Sequence, residues 1–567
     1  MVQILRAATA LIAVLLALPL AACGGGVDDH PDPPPVTQRV TSFGAVNGLD
    51  RSATTGVYAW LGVPYAQPPV GSLRWMPPVD PAPWTGVRTA QQFGHACAQG
   101  GRYFSPAPND APYGLAVRDG FGKPVGDEDC LTLNIWSPST KQGPLPVIFF
   151  IYGGSNISGY SADPVYDGQA LAKKANAVVV TINYRLGILG WLDLPQLKTG
   201  NALADSGDFA LLDQLQALKF VKANIAAFGG DPANVTVMGQ SAGAVNVWGL
   251  LVSPLSAGLF QKAVPLSGGI ANASRTTAQS YSKALLDAIV VADGKATDTT
   301  SAETWLATQS TAQVATYLRS LPASQLLTVM LANPQLGNAP APIEDGNVLP
   351  VNSIAALAAG QYQKVPVLAG NTRDEGTLFA SLFGTITGTG ISGFKPSDYD
   401  RFSLQFNFDP NAPTTLTQGD LINAAYLPVT ALPFGWNAMT AATTNLVFLG
   451  PVLPQLTSLA AQQPGKVWYY RFDWDEEPAP FNTVYGATHA MDLPFMFDNF
   501  GSNVFSFAYS NANRPGREAL SDAMIASLAA FAKTGNPNTP SLGVNWANFP
   551  AKVVMDASPT QLQITAQ

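Results

Sequence analysis

The sequence predicts an α/β fold on a largely parallel sheet, and three observations carry that prediction. Short apolar runs rich in β-branched residues recur along the chain: PVIFFIY (146–152), NAVVVTINY (176–184), VTVMG (235–239), VPVLAG (365–370) and VWYYRF (467–472). Such runs suit strands buried on both faces, as in a parallel sheet covered by helices. Segments with helical spacing lie between them. Hydrophobic residues make up 47% of the 567-residue chain, enough for a substantial core.

Taken in order, the chain begins with MVQILR and the apolar run ATALIAVLLALPL, ending in Leu20-Ala21-Ala22-Cys23. A charged start, a run too short to span a membrane and small residues at its end read as an export signal over 1–22. The Leu-Ala-Ala-Cys ending resembles the processing site of bacterial lipoproteins. That resemblance implies lipidation of Cys23, membrane association through it, and a place in the bacterial cell envelope (outer membrane or surface) or secretion. Residues 23–39, which include GGGVDDHPDPPPV, have the composition of a tether. A single folded domain is expected over 40–567, with no second linker or evident repeat.

Within it, FALLDQLQALKFVKANIAAF (209–228) reads as a helix before the strand at 235–239. REALSDAMIASLAAFAKTG (517–535) reads as another, stopped by Gly535 and followed by Pro537. The Ala/Thr/Pro-rich stretch 255–440 has only weak helical patterns and is expected to form insertions around a site. Charged residues are 12% of the chain and the formal net charge is −8, which argues against a nucleic-acid partner. The chain has three cysteines, Cys23, Cys97 and Cys130. With Cys23 lipidated, the other two fit one disulfide in an oxidising compartment, or two reduced buried thiols. The histidines, His30, His95 and His489, lie far apart and the cysteines lack metal-ligand spacing, so no metal site is expected.

The chemistry centres on Gly239-Gln240-Ser241-Ala242-Gly243. A serine hydroxyl needs exposure and a nearby base to act as a nucleophile. Gly-x-Ser-x-Gly between a strand and a helix gives the exposure, and the helix start offers backbone N–H groups to a developing oxyanion. Where the nucleophile sits on such a turn, the order along the chain is serine, acid, histidine. His489 follows Ser241, whereas His30 lies in the tether and His95 beside Cys97 suits a structural role. The acid lies between Ser241 and His489. Asp345, Asp374 and Glu375 qualify by position, and the strand in VPVLAGNTRDEGTLF delivers Asp374 and Glu375 at its C-terminal end, leaving both open.

A series of ordered motifs then bears a family resemblance: GVPYAQPPVGSLRW (62–75), PWTGVR (83–88), EDCLTLNIW (128–136), NYRLGILGWL (183–192), DFALLDQLQAL (208–218), AAFGGDPANVTVMGQSAG (226–243), DEGTLF (374–379), GATHAMDLPF (486–495) and FAKTGNPN (531–538). Together they resemble the type-B carboxylesterases, α/β-hydrolases with a mostly parallel central sheet flanked by helices. The resemblance implies hydrolysis of small-molecule carboxylic esters without a cofactor. It makes Ser241 the nucleophile, Glu375 the acid and His489 the base. It also implies a Cys97–Cys130 disulfide, a structural Glu128–Arg185 salt bridge, and Ser267 and Asp492 bracing the acid and histidine.

The oxyanion donors would be the N–H groups of Gly154, Ser155 and Ala242. The family commonly has a third glycine and an aromatic where this chain has Ser155 and Asn156, so a narrower oxyanion loop and a more polar acyl wall are expected. Loss of one donor there costs about 3 kcal/mol of transition-state stabilisation. Gln240 replaces a frequent glutamate, which disfavours cationic substrates. The alternatives are an impaired binding or adhesion protein on the same fold, and a specialised lipase, feruloyl or xenobiotic esterase.

Overall fold

The runs read as buried strands lie at the centre of an eleven-stranded sheet in the computed structural model, which describes residues 35–140 and 143–567. The export signal, Cys23, His30 and most of the tether lie outside the described residues. One compact unit runs from Thr37 to Gln567, starting three residues ahead of the boundary expected at 40.

Along the chain the sheet strands are β1 (Leu49–Arg51), β2 (Val57–Pro64), β3 (Thr132–Pro138), β4 (Leu145–Ile151), β5 (Val178–Ile182), β6 (Gly230–Gln240), β7 (Lys262–Leu266), β8 (Val367–Thr372), β9 (Val467–Phe472), β10 (Val553–Met555) and β11 (Thr565–Ala566). Their order in space is β11-β10-β9-β8-β7-β6-β4-β5-β3-β2-β1. Neighbours from β10 through to β5 pair in parallel. Strands at both margins pair antiparallel. Ile148, Phe149, Phe150, Val179, Val180, Val237 and Met238 are fully buried, so the central strands are covered on both faces. That double burial is why they read as unbroken apolar runs.

The helices that matter to the site are α1 (Phe209–Asn224), α2 (Ala242–Val252), α3 (Arg275–Ala292), α4 (Asp398–Phe406), α5 (Asp492–Phe497) and α6 (Arg514–Thr534). The pattern expected over 209–228 is helical to Asn224, then tightens into a 3₁₀ turn at Ile225–Phe228 that stops at Gly229. α6 begins at Arg514, ahead of the expected 517, because Pro515 in its first turn gives up no hydrogen bond there. It ends at Gly535, whose left-handed backbone closes the helix as expected. Much of the 255–440 stretch is helical. α3 and the helices Thr299–Ala307, Thr311–Ser320 and Ala323–Ala332 bury Leu285, Leu286, Ile289, Leu318 and Leu326 in a second core shared with Trp75, Ile188 and Phe209.

Cys97 and Cys130 form a disulfide across 33 residues. The expected Glu128–Arg185 salt bridge does not form. Glu128 instead takes Arg74, with contacts of 2.6 Å to Nε and 2.5 Å to Nη2. Arg185 holds Asp213 through Nε at 2.8 Å and Nη2 at 2.7 Å. Asp213 is fully buried on α1, and a carboxylate there demands its own charged partner, which takes Arg185 away from Glu128.

Candidate active site

β6 hands the chain to α2 through one residue, Ser241, whose φ of 57° and ψ of −123° are unusual for a non-glycine residue. Holding a side chain at positive φ costs about 1–2 kcal/mol. The Ser241 N–H, bonded to the Leu266 carbonyl at 2.8 Å, helps to fix the turn. The flanking glycines answer to close approach: a Cβ on Gly239 would lie 2.3 Å from the Gly243 carbonyl oxygen, and one on Gly243 would lie 2.1 Å from that of Ile151. Only glycine fits at both positions, so the turn stays tight and Ser241 faces a cavity of about 470 Å³.

The other polar side chains arrive from the ends of neighbouring strands. β8 ends at Thr372, and Glu375 opens the short turn Glu375–Thr377 just beyond it. His489 lies in the loop between β9 and α5. Its Nδ1 meets Glu375 Oε2 at 2.5 Å, and both side chains are buried. Glu375 Oε1 accepts from Asn371 Nδ2 and from the Thr372 N–H, each at 2.9 Å. Burial pushes the Glu375 carboxyl up, but His489, with the neighbouring Ser267 and Asn371 side chains, outweighs it and holds it below the ordinary carboxylate range. Phe379 and Phe448 pack on the imidazole, with ring centroids 5.0 and 4.8 Å away.

The alternative acids do other work. Asp374 pairs with Arg373 at 2.8 Å and accepts from the Ala487 N–H at 3.1 Å, while its own N–H donates to the Ala487 carbonyl at 3.0 Å. It thereby fastens the Glu375 turn to the His489 loop. Asp345 accepts from the N–H groups of Val348 and Leu349 and shapes a turn. His95 bonds Asp110 at the surface.

On the facing side, the N–H groups of Gly154, Ser155 and Ala242 donate no hydrogen bond among the described residues. Gly154 and Ser155 line the cavity beside Ser241 and His489. Ser155 has a φ of 57°, the left-handed conformation a glycine would take, so the backbone turn survives the replacement. Asn156 does not build the polar wall expected of it. It is buried, and its amide exchanges hydrogen bonds with Asn246 of α2 at 2.9 and 3.2 Å.

Gln240 has a contact that its sequence position did not reveal: its side-chain nitrogen lies 3.1 Å from His489 Nε2. With Nδ1–H donating to the Glu375 carboxylate, Nε2 is the free acceptor and takes this amide N–H. The Ser241 hydroxyl makes no hydrogen bond among the described residues. Ser267 lies beside Glu375, outside hydrogen-bond geometry. Asp492 opens α5 and accepts from Tyr470 at 2.6 Å rather than from His489. Burial raises the Asp492 carboxyl to about 6.

Comparison with known proteins identifies the lineage. The model of the carboxylesterase family matches residues 35–567. The chain belongs to the carboxylesterase family. Para-nitrobenzyl esterase of Bacillus subtilis is 34% identical over 511 residues, covering 90% of this chain and 92% of its own. Fumonisin B1 esterase of Sphingopyxis macrogoltabida is 34% identical over 524 residues, covering 91% and 85%. The solved carboxylesterase of Geobacillus stearothermophilus superposes with a TM-score of 0.69 at 32% identity, covering 94% of this chain and 98% of that one. The sheet and its helices are thus an α/β-hydrolase fold, and carboxylic-ester hydrolysis is the activity that membership carries. Gly-x-Ser-x-Gly and the order along the chain led to Ser241 and His489, and the carboxylesterase motifs singled out Glu375. They did not lead to Asn371, Phe379 or Phe448, of which only Asn371 and Phe379 carry a local signal, four residues either side of Glu375.

Proposed function

We propose that this carboxylesterase works through Ser241, His489 and Glu375 and an acyl-enzyme intermediate. The observation that carries the reading is the half-buried, positive-φ serine lining a cavity with a buried His489–Glu375 pair at 2.5 Å. Ser241 Oγ attacks the ester carbonyl carbon, and His489 Nε2 takes the hydroxyl proton, exchanging its Gln240 contact for the serine. Glu375 fixes the tautomer and stabilises the imidazolium. The oxyanion accepts from the N–H groups of Gly154, Ser155 and Ala242. The carbonyl carbon–alkoxy oxygen bond breaks, and His489 returns the proton to the departing alcohol. Water then adds to the acyl-serine by the same base, releasing the carboxylic acid and restoring Ser241.

Hydrolysis of short para-nitrophenyl esters by the parent, absent in Ser241→Ala, is the expected result. Turnover retained by the mutant would overturn the assignment. A fluorophosphonate probe should label Ser241 and fail to label His489→Ala.

Export and lipid anchoring complete the proposal. The apolar run ending in Leu20-Ala21-Ala22-Cys23 supports cleavage before a lipidated Cys23, and the Gly/Pro-rich residues after it suit a tether ahead of the compact unit at Thr37. Cys23→Ala should leave the membrane fraction or arrest processing; unchanged fractionation and mobility would refute it.

A further inference from the structure

The cavity beside Ser241 holds two arginines that the hydrolytic steps do not use. Arg401, in α4, is 5% exposed, with its guanidinium carbon 3.8 Å from the ring centre of Phe394 and 4.6 Å from that of Tyr103. Its Nη2 bonds Asp398 at 2.8 Å, while Nε and Nη1 are buried without a hydrogen-bond partner; the Tyr485 hydroxyl faces the group outside hydrogen-bond geometry. Arg102 is half-buried, and its guanidinium makes no hydrogen bond or ion pair among the described residues. Its backbone is held all the same. The Arg102 N–H donates to Ser105 Oγ at 2.8 Å, and that hydroxyl donates to the Arg102 carbonyl at 2.7 Å. The disulfide at Cys97 anchors the same segment five residues upstream.

Both arginines line the cavity, and Asp398, itself 61% exposed, is the carboxylate that lines it with them. Asp398 makes its ion pair with Arg401 and acts on Arg102 only at longer range, so one carboxylate stands against two guanidiniums. A second, partly desolvated guanidinium is a standing cost unless an anion comes to it, and a guanidinium fork matches a carboxylate with two parallel hydrogen bonds. Gln240, next to the nucleophile, adds no negative charge to compete. We propose that the preferred substrates are esters carrying a free carboxylate away from the scissile bond, bound by Arg102 with Arg401 behind it. Such a substrate is a half-ester of a dicarboxylic acid, or an ester of a hydroxy acid. The inference rests on the ester-hydrolase reading.

The test compares two matched pairs by pH-stat: monoethyl glutarate with ethyl glutaramate, and the butyrate ester of γ-hydroxybutyrate with that of γ-hydroxybutyramide. In each pair a carboxylate is exchanged for a neutral amide. In at least one pair the parent should favour the charged ester by roughly tenfold or more in kcat/KM, Arg102→Gln should bring the ratio within about twofold, and Arg102→Lys should recover part of it. The neutral ester should change less than about threefold in Arg102→Gln, which shows that the fold and the hydrolytic residues are intact. Equal use of charged and neutral esters by the parent, or a preference that survives Arg102→Gln, overturns the proposal. If the parent hydrolyses none of the four, fluorophosphonate labelling decides. Labelling of Ser241 slowed by glutarate but not by glutaramide upholds the anion site, and labelling indifferent to both removes it. No labelling at all would instead sink the ester-hydrolase reading.

Discussion

At the residue scale, Ser155 stands in a conformation that glycine takes freely and β-branched side chains resist. Ser155→Gly should therefore keep kcat within about threefold of the parent. Ser155→Val should turn the N–H away and lower kcat by roughly 100-fold with little change in KM. Steady-state kinetics on para-nitrophenyl butyrate decide this, and an unaffected valine variant would remove Ser155 from the oxyanion donors. Gln240 permits a second test, because its amide touches His489 Nε2. Gln240→Glu puts a carboxylate there and favours the imidazolium, so the acid limb of kcat/KM should move up by about one pH unit. A limb that stays put would mean that the contact does not govern the base. The Ser155 role was legible from the family's glycine-rich loop, whereas that of Gln240 was not. Gln240 reads there only as a lost charge, and its partner lies 249 residues away. Arg102 and Arg401 belong to no motif, and nothing in spacing joins them.

At the scale of elements, the strands were legible because burial on both faces leaves continuous apolar runs. The helices at 209–224 and 514–534 were legible from spacing and from Gly535. The insertion helices were not: α3 runs for 18 residues, but the others are short, and the Ala- and Thr-rich composition thins out their apolar faces. Their caps were present all the same, as in Ser310 with Gln313. The Glu128–Arg185 pairing failed because a carboxylate on α1 and an arginine at 74 compete for the same charges, and sequence order does not rank them. The disulfide closes a 33-residue separation between Cys97 and Cys130. Replacing both cysteines by serine should lower unfolding free energy by roughly 4 kcal/mol. Denaturant titration without reductant measures it, and a loss under about 1 kcal/mol would mean that residual structure already restrains this loop in the unfolded chain.

For the whole molecule, buried acids set the response to pH. Burial raises Asp163 from 3.8 to about 7, against the hydrogen bond it accepts from Val165. Between those values the native state holds a proton that the unfolded chain has released, so this group's contribution falls as pH rises from about 4 to 7. Glu375 acts in the opposite sense. Its native value lies below 4.5, so its contribution is present above that pH and is lost as pH falls through the native value. Asp163→Asn should therefore flatten the decline and leave the protein roughly 3 kcal/mol better placed near pH 8, relative to pH 4, than the parent. Parallel stability–pH curves for parent and variant would contradict the assignment.

The two phenyl rings around His489 have a further consequence for observation. The chain contains three histidines, and of the two among the described residues His489 is the one packed against Phe379 and Phe448. Aromatic ring currents displace nearby resonances, so a histidine-labelled sample should give a magnetic resonance spectrum of very few imidazole signals with one set well apart. That signal would report the protonation of the base directly, during inhibitor binding and across a titration, in a 59.5 kDa protein whose full spectrum would be crowded.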